Sequence, residues 1–527
     1  MMENELPEGW ESASLIDITD HVIGGDWGKD VFDPELNEEY EKVICIRGSE
    51  FKNWSKEKGA TAALRMVKSS SLKVRQLQLG DILLEISGGG PTQPVGRVLL
   101  IDKESLLLNP DLPKVCSNFL RLLRLKETVD KIFVHKYLEF FYYSGEVVKY
   151  QGGSNNLRNL KFKEYSAIEI PLPPLAEQTR IVAKLDAAFG HLETLKTSLA
   201  RIPELLKKFR QTVLTQAVTG KLTEEWREEN PEISDVKTNF DKLILDRKER
   251  YIELCIEAQK EGKKKPRKVY LEEIPELPNG LTTDIPESWA ITTIEFLAFV
   301  TKLAGFEYTN HIVFKENGEI PVVRAQNVHM GEFIEDNITY IDKSVSDYLE
   351  RSQLHGREVL MVFIGAGTGN VCLAPSDKRW HLAPNVAKID VDWIDVKYLN
   401  YYLQSPVGFN NTMSFVKATA QPSLSMETIR QIAVQVPPLE EQQEIVKRVE
   451  ALFAQADALE AQYQSLKARI DKLPQALLAK AFRGELVPQD PADEPASLML
   501  EKIKAATAAV GKKGRKSGQT ALAFMEE

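Results

Sequence analysis

The chain has 527 residues, 43% hydrophobic and 27% charged, with a formal net charge of −10. That length can hold two or more independent cores, and no stretch approaches the roughly 20 apolar residues of a membrane span. The acidic opening MMENELPEGWES lacks the basic and apolar regions of a signal peptide, and four scattered cysteines (Cys45, Cys116, Cys255, Cys372) have no metal or redox spacing, so a reducing cytoplasm is expected.

Charge is unevenly placed. Residues 1–41 carry thirteen Asp/Glu against Lys29 alone, whereas residues 42–170 carry 21 Lys/Arg against 13 Asp/Glu. A solvated surface or a polyanion partner accounts equally for that local excess. Through this first region run short β-type segments, VICIRG, DILLEIS and RVLLI, divided by Gly, Asn and Pro turns, and one helical segment, HKYLEFFYYS. The spacing predicts a mixed α/β domain over residues 1–170.

A long helix follows over 171–223. Leu185, Leu192, Leu199, Leu206 and Val213 recur every seventh residue, interleaved with Ile181, Ala188, Leu195, Ile202 and Phe209. A 3.5-residue apolar repeat keeps one seam facing a partner helix, as in a coiled coil. Pro203 is expected to kink the helix and Gly220 to stop it. Residues 224–280 read as a charged linker with a surface helix, FDKLILDRKERYIELCIEAQKE, and the basic run KKKPRK.

The chain then repeats itself. PPLAEQTRIVAKLDAAFGHLETL from Pro173 is matched without a gap by PPLEEQQEIVKRVEALFAQADAL from Pro437. LPEGW returns as IPESW, CIRGSEF as VVRAQNV, GDILLEISGGG as REVLMVFIGAG and HKYLEFFYYS as VKYLNYYLQS, in the same order. A second mixed domain is therefore expected over 281–435. A second long helix follows over 436–488, with Val449, Ala456, Tyr463, Ile470 and Leu477 on its seam and Ile445, Leu452, Leu459, Leu466 and Leu473 beside it. Pro474 should kink it and Gly484 end it. The tail, 489–527, closes in a Gly/Lys-rich segment expected to be mobile.

The run VLMVFIGAGTGNV (359–371) raises the question of a cofactor loop. A nucleotide-binding glycine turn needs a strand before it and a helix directly after. Here NVCLAPSDKRW follows, and in the first copy GGGPTQPVGRVLL returns straight into a strand, so both read as hairpins. The seven histidines form no HxxxH or HExxH grouping, and no GxxxxGK[ST] loop occurs. Glu177/Gln178 and Glu441/Gln442 read as first-turn helix residues. No catalytic residue, bound cofactor or metal is expected in this chain.

What remains is a duplicated module with donor-rich loops. Arg and Lys reach guanine edges and phosphates, and Asn or Gln reaches adenine. The candidates are Arg47, Lys52, Gln93, Arg97, Asn155, Asn156 and Arg158 in the first copy. In the second they are Arg324, Gln326, Asn327, Thr368, Asn370, Lys378, Arg379, Lys417 and Gln421. For each one a solvated loop side chain is the competing explanation, and the matched repeat positions raise the set as a group.

At PLPPLAEQTRIVAKLD, IPELLKKFRQTVLTQAVTGKLTEEWR and LPQALLAKAFRGELVPQ the chain resembles the specificity (S) subunit of type I restriction-modification systems. The resemblance spans essentially the whole length. It implies an α+β fold of two target-recognition domains, each reading half of a bipartite double-stranded DNA target, joined by two antiparallel coiled-coil helices with pseudo-two-fold symmetry. It also implies two methyltransferase partners carrying S-adenosylmethionine for adenine N6 methylation, and two restriction partners using ATP and magnesium. Residues 286–434, with 12 Lys/Arg against 17 Asp/Glu, depart from a basic DNA-binding pattern, so phosphate contacts there need a local patch or partner subunits. The alternatives left open by the residues alone are a coiled-coil protein adaptor and a stand-alone methyltransferase.

Overall fold

The computed structural model describes residues 6–90, 93–154, 157–266, 268, 271–277, 284–416 and 422–514. They divide into two units, Met1–Leu199 with Ser465–Glu527, and Ala200–Gln464. Each unit thus combines one mixed α/β domain with part of both long helical segments.

The first unit is built on a four-stranded antiparallel sheet in the order Thr19–Gly24, Leu120–Leu125, Ile82–Glu85, Val98–Leu100. Beside it, Tyr40–Ile46 pairs antiparallel with Ala63–Lys68 and parallel with Lys114–Cys116. The second unit repeats this plan: Ala298–Lys302, Val386–Val391, Glu358–Val362, Val371–Leu373 form the antiparallel sheet. Ile320–Val323 again pairs antiparallel with Thr339–Ile341 and parallel with Trp380–Leu382. One face of each main sheet carries Leu84 and Leu123, or Met361 and Ile389, into the core that holds the helix Lys131–Tyr143 or Val396–Gln404. The alternating pattern of these strands is what commits one face to that core.

Both glycine segments are hairpins. Leu84 faces Val98 and Met361 faces Val371 across antiparallel ladders, and the chain re-enters a strand each time. The strand–turn–helix of a nucleotide loop is absent there. Gly369 lies at φ +91°, and an added Cβ would stand 3.1 Å from Met413 Sδ, so this glycine serves the turn and its packing.

The long helices begin with a shared clasp. Short antiparallel strand pairs, Glu11–Ser14 with Glu169–Leu172 and Ala290–Thr293 with Ala433–Val436, deliver the chain to each helix start. Gln178 Nε2 donates to the Pro173 carbonyl (2.9 Å), and Oε1 accepts from the Asp130 backbone N–H (2.9 Å). Gln442 does the same with Pro437 (2.8 Å) and Asp395 (2.7 Å). The Trp10 indole N–H donates to Glu177 (3.1 Å), and that of Trp289 to Glu441 (2.8 Å). All four clasp carboxylates and amides are buried, so these first-turn helix residues also anchor the domains.

The two copies differ in their helices. In the first, helix Leu175–Leu199 ends and helix Ile202–Val218 begins, with Pro203 in its opening turn; lacking an N–H, Pro203 suits a helix start. The second runs unbroken over Leu439–Phe482 with Pro474 inside. The pairing is antiparallel within each unit: Lys196 meets Asp471 (3.9 Å), and Arg210 meets Asp457 (2.7 Å). Leu185, Leu192, Leu206 and Val213, with Val449, Ala456, Tyr463 and Ile470, are buried as the heptads predict. The neighbouring row is divided: Ile181 and Ile445 at the helix starts are buried, whereas Leu195, Phe209, Leu459, Leu466 and Leu473 are exposed.

Gly220 (φ +76°) and Gly484 (φ +73°) follow the helices in left-handed conformation, each against a proline: an added Cβ would stand 2.4 Å from Pro286 or 2.5 Å from Pro7. The expected linker and the start of the tail are partly structural, and the Gly/Lys-rich end expected to be mobile lies outside the described residues from residue 515 on. Helix Val236–Lys260 buries Phe240 against Phe296 (4.9 Å) and Trp393 (5.3 Å). Helix Ala496–Gly514 buries Ala496, Met499 and Ile503 in the first unit's core. Among the described residues no helix is long and apolar enough to cross a membrane.

Candidate nucleic-acid interface

Strand direction gathers most of the described candidate residues at one end of each main sheet, here the tip. In the first unit the tip receives the hairpin turn after Glu85, the loop after Ile46 and the loop after Cys116. Arg47 leaves the strand there, and its Nη2 pairs with Glu50 Oε1 at 2.6 Å and donates to the Thr61 carbonyl at 3.0 Å. Arg97 forks onto Glu85 (2.9 and 2.6 Å), reaches the Gly48 carbonyl (3.0 Å) and lies 5.3 Å from the Phe51 ring. Glu50 and Glu85 are buried, so each arginine is held as a fixed fork with Nη1 uncommitted among the described residues. Such bidentate pairs position a guanidinium as few other contacts do.

These arginines line a cleft of about 890 Å³ with Lys52, Gln93, Trp27, Asn118 and Phe119. A smaller cleft of about 420 Å³ adjoins it, where Lys52, Gln93 and Arg97 meet Tyr142 and Tyr143. Arg158 faces Gly88 across the ladder next to the hairpin, so it belongs to the same tip. The aromatic lining was not anticipated from sequence; Phe119 sits half-exposed after Ser117 and Asn118, and only the doubled Tyr142-Tyr143 at a helix end was a visible signal.

In the second unit Arg324 occupies the place of Arg47, and Asn370 that of Arg97. Arg324 Nη2 donates to the Asn337 carbonyl, and Gln326 beside it is exposed. Asn327 is turned inward. Its Oδ1 accepts from the Arg324 backbone N–H (3.0 Å) and its Nδ2 donates to the Ile334 and Asp336 carbonyls (both 2.9 Å). Its amide capacity is thereby used inside the loop, and it is a loop clamp rather than a base-reading donor. Thr368 is also buried, its hydroxyl directed at the Gly365 (2.7 Å) and Pro422 (3.0 Å) carbonyls. Asn370 is half-buried, with Nδ2 3.3 Å from the Val328 carbonyl.

Lys378 and Arg379 do not join this tip. They lie between Leu373 and Trp380, at the end of the sheet where Ala374 N–H bonds the Glu358 carbonyl (2.9 Å). Lys378 stands 5.0 Å from the Trp380 ring and Arg379 pairs with Asp347 at 2.8 Å. Successive loops of an antiparallel hairpin emerge at opposite ends, which sequence proximity conceals. Asn155, Asn156, Lys417 and Gln421 lie outside the described residues.

The tips contain fixed cations, amides and aromatics. Among the described residues no group of three His, Cys, Asp or Glu is placed to hold a metal. Burial raises the thiols of Cys45, Cys116 and Cys372 to about 12, so they stay protonated at neutral pH. The chemistry on offer is hydrogen bonding, stacking and charge neutralisation.

The fold is thus a duplicated α+β module, each copy with a donor-rich tip and a clasp to a long helix. The model of the type I restriction modification DNA specificity domain matches residues 7–204 and again 289–468, and the chain belongs to that family of specificity subunits. It is 30% identical to the EcoKI specificity subunit of Escherichia coli K12, over 97% of this chain and 98% of that one. It is 28% identical to the StySPI specificity subunit of Salmonella potsdam, again over 97% and 98%. Among solved structures, the HsdS subunit from Thermoanaerobacter tengcongensis shares the fold with a TM-score of 0.54 at 17% identity, covering 92% of this chain and 99% of that one. A chain from a structure of type I R-M complex assembly and conformational transition gives 0.55, also at 17%, covering 92% and 100%.

Proposed function

We propose that this chain reads a bipartite, asymmetric DNA sequence, one part at each tip, and carries the methyltransferase and restriction subunits that act on it. The carrying observation is that equivalent tips present different side chains: Arg47 and Arg97 in one, Arg324 and Asn370 in the other. The uncommitted arginine Nη1 groups suit an acceptor on the guanine edge and an asparagine amide suits adenine, so two unlike half-sites follow from two unlike donor sets. The catalytic work falls to partners, with S-adenosylmethionine on the methyltransferase subunits and ATP with magnesium on the restriction subunits.

The exposed part of the second heptad row supports the carrier role. Leu195, Leu466 and Leu473 in the first unit, and Phe209 and Leu459 in the second, keep helical spacing yet meet solvent. A partner helix would bury them at about 25 cal/mol per Å².

The test is expression of the chain with a cognate methyltransferase subunit, followed by mapping of N6-methyladenine. The expected result is a motif in two specific parts around a non-specific spacer. A single continuous motif, or methylation indifferent to this chain, overturns the reading. Leu466→Glu with Leu473→Glu should prevent co-purification of the methyltransferase subunit while leaving the melting temperature unchanged.

A further inference from the structure

The two main sheets carry a cation at the same place by different routes. Arg121 faces Gly24 and Leu84 across its ladders, at the tip end of the first sheet. The corresponding ladder position in the second sheet holds Ala387, which faces Met361 and, on its other side, Lys302. Where the first copy has arginine on the central strand opposite glycine on the edge, the second has lysine on the edge opposite alanine. Cross-strand partners share a face, so both cations project from the same face at the same height.

Their surroundings match as well. The Arg121 guanidinium lies 4.1 Å from the Phe162 ring, and the Lys302 ammonium 5.0 Å from the Phe363 ring. Neither forms an ion pair among the described residues. In residues 286–434 that is unusual: apart from Arg324 and Arg430, which donate to the Asn337 and Val300 carbonyls, the other described lysines and arginines are ion-paired. The net acidity of this copy therefore conceals one uncompensated, solvent-facing lysine at its tip. In the first copy Arg121 Nε is buried without a hydrogen-bond partner, and burial lowers its affinity for the proton, so the charge is under-solvated.

We propose that Arg121 and Lys302 are equivalent phosphate anchors, one for each half of the DNA target. An aromatic ring under each cation restricts it without neutralising it, leaving the charge for an anion arriving beside the reading loops. Contacts of this kind fix register and add affinity without sequence information. The inference rests on the proposed DNA reading, and it names residues outside the loops that supply the base contacts.

The full chain in complex with its methyltransferase subunit is titrated with DNA at several salt concentrations. Arg121→Gln and Lys302→Gln should each weaken binding to all sequences alike and reduce the slope of log K against log salt by about 0.9, and the double variant by about 1.8. The methylated motif should stay unchanged. Arg121→Lys and Lys302→Arg should keep the wild-type slope, which separates loss of charge from loss of folding. Glutamine variants with an unaltered slope overturn the anchor assignment alone, as does an altered motif. A wild-type complex without salt-dependent, sequence-specific binding overturns the underlying reading itself.

Discussion

Asn327 and Gln326 are neighbours with opposite duties. The Asn327 amide closes its loop through three hydrogen bonds, whereas Gln326 is exposed beside Arg324. Removing a buried amide leaves its partners unsatisfied at about 1–3 kcal/mol for each group. Asn327→Ala should therefore lower the melting temperature and weaken the second tip as a whole. Gln326→Ala should stay within about 0.5 kcal/mol of wild type and relax the methylated motif at one half-site. Thermal melting paired with methylation mapping reads both. Composition and repeat position marked these residues as one set. Side-chain direction divided them, and nothing in a string of polar loop residues encodes that direction. Thr368 shows the same: a threonine between glycines looks exposed until its hydroxyl is found on the Gly365 and Pro422 carbonyls.

At the scale of elements, the heptads predicted the buried seam, and the repeat of DILLEIS and EVLMVFI predicted paired sheets. The clasp at each helix start was not legible, because its partners come from distant segments. Glu441 accepts from Trp289 and Thr223 and pairs with Arg227, all inside one unit. Glu177 accepts from Trp10, but its Oε1 is buried without a partner. The repeat explains the difference, since Val487 and Pro491 stand at the places of Thr223 and Arg227. Glu441→Gln should cost about 3–5 kcal/mol by leaving a half-buried arginine without its carboxylate. Glu177→Gln should cost far less. Burial raises the Glu177 carboxyl above its ordinary range, so the folded state holds its proton more tightly than the unfolded chain. Stability then falls as pH rises from the ordinary glutamate value of about 4.3 through the raised one, and the penalty persists above it. Melting curves across that window should show this decline in wild type and its absence in Glu177→Gln.

Across the whole molecule the duplication was plain from residue order alone; the main-sheet order repeats, while the second copy's side sheet adds the strand Gln353–Leu354. What the order could not reveal is that the first unit is assembled from two separate stretches of chain. The first unit's core takes Leu478, Ala481 and Phe482 from the second helix and Ala496, Met499 and Ile503 from the closing helix. Phe482 packs 5.4 Å from Phe133 and 5.1 Å from Tyr137, ring to ring. This bears directly on domain exchange. Replacing residues 1–170 with the matching domain of another specificity subunit should change one half of the methylated motif and leave the other half intact. The graft should fold only if it retains the clasp to Glu177 and Gln178 through Trp10 and Asp130 and an apolar surface for Phe482, because truncating a buried aromatic contact costs about 3–5 kcal/mol. A graft lacking aromatics at positions 133 and 137 should be rescued by also exchanging residues 465–514, which supply the other side of that core. Motif mapping of the two grafts decides the matter: a change in both half-sites, or in neither, would break the link between tip and half-site. Rescue by the paired exchange would locate the boundary of the unit in packing rather than in sequence position.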